Sequence, residues 1–368
     1  MAVTFELTNE ILKPVLEKSL KASNFEVTKF AIAALKPGAG NPTSLGVYRV
    51  TAEISMGGNF REISVVVKHL ADGAPIMDAS AETSWNYWRR EIAFFESPLA
   101  QMIPENIGYP EYLGHSKLSD GTELFWNSDL GDLEKNVWKW SDCLYAAELV
   151  AELNSIDISL ANSLPWLNRS QLEGWLEMGE EFFAPLYPKV LGLVQKSVEL
   201  SESFNKYGVY LNQHSFIIEK LHSLRQCFVH GDFNLNNLVV VKEEKEKLTA
   251  LDWQLCGIAA VGTEVAAIFN TARELNVIQP EREKFEEICS VYTKRFNKLN
   301  TENLISLNEV RLAAALMGYY ILNGVGFYFN QPDLNMSEEG NNAKLLAMLK
   351  DFEVGPLALY AEVLHELL

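Results

Sequence analysis

The sequence predicts an α+β chain of two lobes, a β-rich N-terminal part followed by a mainly helical one. Three observations carry this. The chain has 368 residues, more than one sheet and one core usually organise. β-branched and alternating apolar runs gather near the N-terminus. From Ser141 onward the apolar residues recur mostly at helical spacing. Strands followed by helices, rather than alternating with them, define the α+β class.

Three runs read as strands: Val27 to Leu35, Val47 to Ile54 (VYRVTAEI) and Ile63 to Leu70 (ISVVVKHL). KPGAGNPTSLG and MGGNFR supply the turns between them. SAETSWNYWRREIAFF, residues 80–95, has a polar start and helical apolar spacing, which predicts a helix. Short strands near Pro110 to Gly114 and Glu123 to Trp126 complete a five-stranded antiparallel sheet. The expected lobes are 1–127 and 128–368, joined through NSDLGDLEK at 127–135. Expected helices in the second lobe span 144–153, 172–183, 209–224, 263–275, 281–299, 308–329 and 342–350. A polar stretch with flanking strands, FVHGDFNLNNLVV (228–240), interrupts them and reads as a central hairpin.

Composition narrows the function classes. The chain is 48% hydrophobic and 11% aromatic, so it folds by itself. A formal net charge of −18 argues against a nucleic-acid partner and favours cationic small molecules, besides serving solubility. The four cysteines, at 143, 227, 256 and 289, form no CxxC pair and suggest neither zinc nor disulfides. Without a signal pattern or a long apolar run, the expectation is a soluble cytoplasmic protein with no membrane partner. The sequence leaves the oligomeric state open.

FVHGDFNLNNLVV concentrates one His, one Asp and three Asn between apolar runs. A turn there can aim Asp232 and Asn237 into one cleft, and Asp252 follows at the end of an apolar strand in LTALDWQ. Carboxylate and amide oxygens of this kind suit Mg²⁺, a hard cation. Lys68 interrupts an otherwise core-like strand and needs a counter-charge. Glu91 on the following helix is available. The glycine turn, with Gly38, Gly40 and the hydroxyls of Thr43 and Ser44, offers donors to phosphate. A glycine loop, a strand lysine, a helix glutamate, a loop Asp…Asn and a strand-end Asp are the parts of a phosphoryl-transfer site.

The residues resemble the aminoglycoside phosphotransferase, choline kinase and ecdysteroid kinase-like superfamily, which has a bilobal protein-kinase-like fold. HGDFNLNN (230–237) stands where that superfamily carries H-G-D-x-x-x-x-N. LDWQ (251–254) stands where it carries Asp and an aromatic residue. VVVKHL, RREIAFFE and GTEVAAIF (262–269) match the lysine strand, the glutamate helix and the segment behind the site. Protein-kinase signatures are absent: Gly231 replaces the Arg of H-R-D, Trp253-Gln254 replaces Phe-Gly, and no APE occurs.

The resemblance implies ATP and Mg²⁺ as cofactors. It implies Asp232 at the acceptor hydroxyl, Asn237 and Asp252 holding Mg²⁺ against the phosphates, and Lys68, fixed by Glu91, on the α/β-phosphates. Gly38, Gly40, Ser44 and Asp129 of the SDLG segment are the further nucleotide contacts. His230 braces the loop. Trp253, Tyr320, Phe327 and Tyr328 are candidate walls of an acceptor pocket, where aromatic faces attract amines; an aromatic stripe of this kind also serves as plain core. The acceptor is expected to be a small hydroxylated molecule, an aminoglycoside-like compound or amino alcohol. A neutral hydrophobic metabolite and a non-catalytic nucleotide-binding scaffold are the alternatives.

Overall fold

A capped helix precedes the strands. In the computed structural model, α1 (Asn9–Leu20) begins at Thr8, whose hydroxyl accepts the Ile11 N–H. The model describes residues 5–35, 43–73, 79–131, 137–174, 195, 201–202, 205–206, 213–240, 247–279, 281–329 and 355–368. The reading by strands passes over α1. Pro14 lies inside it and removes one backbone donor. The helix persists because its apolar stripe, Leu12, Val15 and Leu16, is buried against the sheet, and packing rather than propensity decides most helices.

The strands follow the alternation. β1 (Glu26–Leu35), β2 (Ser44–Met56) and β3 (Asn59–Leu70) pair antiparallel in sequence. Met56 faces Asn59 across Gly57 and Gly58, whose φ of 56° and 81° fit a two-residue hairpin that only such residues adopt cheaply. Tyr48, Val50, Ala52 and Ile54 of β2 and Val65 and Val67 of β3 form a core with α1. α2 (Arg90–Glu96), β4 (Ile107–Gly108), β5 (Tyr112–Lys117) and β6 (Glu123–Ser128) come next. The sheet has the five antiparallel strands that the sequence predicts, and it runs in the order β1-β2-β3-β6-β5.

The helix expected over 80–95 is shorter. Residues 81–89 form turns and α2 starts only at Arg90. The Trp88 N–H, which a longer helix would aim at the Ser84 carbonyl, bonds the Ala79 carbonyl instead, and the Ser84 and Trp85 carbonyls also accept from the Arg90 guanidinium.

Then follow α3 (Trp140–Leu153), α4 (His214–Ser223), β7 (Gln226–Val229), β8 (Leu238–Val240), β9 (Leu248–Ala250), β10 (Gly257–Ala260), α5 (Thr263–Glu274), α6 (Arg282–Leu299), α7 (Leu307–Phe329) and α8 (Pro356–Leu367). The central hairpin is not formed. β7 pairs with β10, while β8 joins β9 and β4 in a separate sheet. The polar turn therefore links two sheets. Helices expected over 342–350, most of 172–183 and the first residues of 209–224 lie outside the described residues.

The chain forms two compact units. One comprises Met1–Asn136, Leu164–Asn168 and Val239–Cys256; the other comprises Val137–Ser163, Arg169–Leu238 and Gly257–Leu368. In the second, α3 packs on α5 and α6, and α7 packs on α5 and α8. Among the described residues no helix is long and apolar enough to cross a membrane.

Candidate active site

In the first unit the chemistry gathers on Lys68. Its neighbours Val65 and Val67 are fully buried in the core shared with α1. Alternation turns Lys68 to the other face. There its Nζ lies 2.8 Å from Glu91 Oε2 and 2.7 Å from Asp252 Oδ1. The second Glu91 oxygen accepts the Trp253 N–H at 3.2 Å. Burial by itself would lower the Lys68 ammonium, but the carboxylates of Asp252 and Glu91 outweigh it and hold the group above the ordinary lysine range. Lys68 is charged at any working pH. Burial also pushes the Glu91 carboxyl up, against the pull of Lys68 and the Trp253 N–H.

Asp252 ends the strand in a left-handed conformation, φ 63° and ψ 69°. A non-glycine residue there carries strain of about 1–3 kcal/mol, which surrounding contacts must hold. Trp253 is fully buried, stacked on Phe94 at 4.7 Å, with its indole N–H bonded to the Ala250 carbonyl. That position makes it packing beneath the Asp252 turn. The Gln254 amide bonds the buried Thr43 hydroxyl. Ser44 is half-buried at the start of β2. Asp129 is engaged by Arg49 at 2.7 Å and accepts the Gly131 N–H at 2.9 Å. Gly38 and Gly40 lie outside the described residues.

In the second unit the HGD loop is built around a glycine and a carboxylate. Gly231 has φ 84°, a conformation that explains glycine rather than a side-chain-bearing residue between His230 and Asp232. Asn234 Nδ2 donates to Asp232 Oδ1 at 2.6 Å, and Asn237 Nδ2 donates to Asp232 Oδ2 at 2.7 Å. Two amides thus fix the plane of the carboxylate, which has about four acceptor directions in all. Asn234 Oδ1 accepts the Asn236 N–H, which settles the orientation of the Asn234 amide. His230 is fully buried, accepts the Asp232 N–H at 3.3 Å and lies edge-on to Phe233.

Behind this loop is a buried network that the sequence does not reveal. Glu264, at the start of α5, accepts the Gly231 N–H at 3.0 Å and the Asn154 amide at 3.0 Å. Asn154 also donates to the Phe228 carbonyl at 2.8 Å and accepts the Tyr292 hydroxyl at 2.7 Å. Burial pushes the Glu264 carboxyl up to about 7. The bonds from Asn154 and from the Gly231 and His230 backbone restrain the shift, and the Asp232 charge adds to it. The GTEVAAIF segment is legible, but nothing in a linear sequence singles out Asn154, which is 110 positions from Glu264. Tyr320, Phe327 and Tyr328 are on α7, and their side chains lie outside the described residues.

The donor chemistry fits a hard divalent cation. The Asn237 nitrogen is engaged with Asp232, and its amide oxygen accepts no hydrogen bond among the described residues. Asp252 contributes a carboxylate, 46% exposed. No group of three or more His, Cys, Asp or Glu placed to hold a metal occurs among the described residues. Each unit by itself offers few such oxygens, and a hard divalent cation such as Mg²⁺ characteristically takes few protein donors and completes its shell with water and phosphate oxygens.

Residues 143–286 match the model of a family described as the phosphotransferase enzyme family. No curated protein matches the sequence. Among solved structures, the chain is similar to an amicoumacin kinase, hAmiN, in complex with AMP-PNP, Ca²⁺ and Ami. The TM-score is 0.53 at 13% identity, over 88% of this chain and 87% of that one. It is also similar to the GDP and kanamycin complex of APH(2")-IIia, with TM-score 0.51 at 11% identity, over 89% and 94%. At such identities the likeness is one of fold. The resemblance read from the sequence stands: residues 143–286 carry the pattern of the phosphotransferase enzyme family, within a chain that has the fold of these kinases.

Proposed function

We propose that the protein is an ATP- and Mg²⁺-dependent phosphotransferase that phosphorylates a hydroxyl group of a small molecule. The observation that carries the reading is Lys68, bonded at once to the helix glutamate Glu91 and the strand-end Asp252. That triad holds an ammonium charged and fixed, ready for phosphate oxygens. Gly38, Gly40, Ser44 and Asp129 are the further nucleotide contacts in this scheme, with Asp129 held by Arg49.

Asp232 serves the acceptor. Its carboxylate, held by Asn234 and Asn237, orients the hydroxyl and takes its proton as the oxygen bonds to the γ-phosphorus and the bond to ADP breaks. Positioning is its main service, since an ionised carboxylate is a weak base. Asn237 and Asp252 are the protein donors for Mg²⁺, which when bound neutralises phosphate charge. His230 and Glu264 keep the loop in shape.

The acceptor class we favour is cationic, an aminoglycoside-like compound or amino alcohol. The net charge of −18 supports it, as do the kanamycin and Ami named in the two similar structures. The test is incubation with Mg²⁺–ATP and a panel of hydroxylated amines, antibiotics and metabolites, read as the mass gain of one phosphate. Asp232→Ala should abolish transfer and retain nucleotide binding. Persisting turnover in that variant would remove Asp232 from its role. Tight ATP binding with no transfer to any acceptor would favour a non-catalytic scaffold.

A further inference from the structure

Arg90 is a fully buried charge whose hydrogen-bond partners among the described residues are all backbone carbonyls. Its Nε donates to the Trp166 carbonyl at 2.6 Å. Its Nη1 donates to Trp85 at 2.9 Å and to Gln254 at 3.1 Å, and its Nη2 donates to Ser84. No carboxylate reaches it among the described residues. Burial lowers the guanidinium to about 10, still far above neutral pH, so the charge is retained. Stability alone seldom calls for a buried charge without a counter-ion, because apolar packing does that work as well.

What the guanidinium grips explains its placement. Arg90 and Glu91 are consecutive at the start of α2. Glu91 accepts the N–H of Trp253, and Arg90 donates to the carbonyl of Gln254. The two side chains therefore hold both ends of the Trp253–Gln254 dipeptide, and that dipeptide directly follows Asp252 in its left-handed conformation. The same guanidinium ties in the 84–85 turn and the 164–168 segment, and Asn168 adds bonds to the Trp85 and Cys256 carbonyl groups. A planar fork of five donors can serve such divergent acceptors; a lysine ammonium cannot serve them all in this geometry.

We infer that Arg90 is a positioning residue that holds the strained Asp252 turn in register with Lys68 and Glu91, and thereby sets the affinity of the site for Mg²⁺–nucleotide. The inference rests on the proposed metal role of Asp252. Neighbours that orient a metal ligand typically change affinity by about 10–100-fold when replaced. Arg90 touches neither the metal nor the nucleotide in this scheme.

The test is calorimetric titration of ADP, in EDTA and across a Mg²⁺ series, on the full chain and on Arg90→Lys, Arg90→Gln and Asp252→Asn. Melting curves establish which variants are folded. Arg90→Lys and Arg90→Gln should bind metal-free ADP as the parent does and need about tenfold more Mg²⁺ for half-saturation. Asp252→Asn should lose the Mg²⁺ dependence. A folded Arg90→Lys with a lower melting temperature, an unchanged Mg²⁺ requirement and a responsive Asp252→Asn would overturn the inference and leave Arg90 as a fold-stabilising residue. An unchanged Asp252→Asn would instead overturn the metal role of Asp252, and the inference with it. Arg90→Lys keeps the charge and decides the matter where Arg90→Gln does not fold.

Discussion

Replacing Glu264 with glutamine removes a buried titration while keeping nearly the same volume. In the folded protein the carboxyl is pushed up to about 7 from the ordinary 4.5, chiefly by burial. Between these values the folded state holds a proton that the unfolded state has released, so stability falls as pH rises through this window. The contribution is fully present below about pH 4.5 and gone above about pH 7. At roughly 1.4 kcal/mol per pKa unit the loss across the window is about 3 kcal/mol. Glutamine does not titrate. It also has one acceptor oxygen where Glu264 uses two, and the Asn154 amide cannot flip to compensate, because Phe228 and Tyr292 fix it. Relative to the ionised carboxylate, Glu264→Gln should therefore lose one bond, about 1–3 kcal/mol. The advantage of the parent over the variant should shrink by about 3 kcal/mol between pH 4.5 and 7.5. Urea unfolding of both proteins across that range, following the transition of the second unit, measures it. Parallel stability curves would refute the reasoning, since they would mean that Glu264 ionises as it does in water.

Lys68→Met leaves Glu91 buried with the Trp253 N–H as its remaining donor among the described residues and removes the ion pair between Lys68 and Asp252. It should destabilise the first unit by about 3–5 kcal/mol and weaken nucleotide binding, both measurable by urea unfolding and calorimetry. Asn234→Ala removes one of two amides on the Asp232 carboxylate; a lost hydrogen bond to a charged group is worth about 1.5–3 kcal/mol. If that falls on the transition state, kcat should drop by about one to two orders of magnitude with the nucleotide KM unchanged. A raised KM at constant kcat would move Asn234 from acceptor to nucleotide.

Much of the fold is legible because its signals are local. The β1 to β3 strands announce themselves through alternation and Gly-rich turns, and their observed bounds include the expected ones. The apolar spacing of α5, α6 and α7 is equally plain. Where local signals compete, the reading fails. Residues 81–89 have a helical pattern, but their backbone bonds go elsewhere: Trp88 N–H reaches the Ala79 carbonyl, and the Arg90 guanidinium engages the Ser84 and Trp85 carbonyls. Pro14 weakens the case for α1, yet burial of Leu12, Val15 and Leu16 sustains it. β7 and β8 flank one polar turn as a hairpin would, and only pairing across the fold assigns β7 to β10.

The candidate site divides in the same way. Sequence by itself determined the residue types and their order: a lysine in a strand, a glutamate on the next helix, Asp232 and Asn237 in one loop, Asp252 at a strand end. Side-chain chemistry and short-range spacing suffice for that. Tertiary structure alone decided that Asp252 shares Lys68 with Glu91, that Asn234 holds Asp232, and that Arg90, Glu264, Asn154 and Tyr292 form the supports. Those contacts join residues up to 184 positions apart. They exist because a buried charge or amide must find its partners in the folded chain, wherever folding brings them.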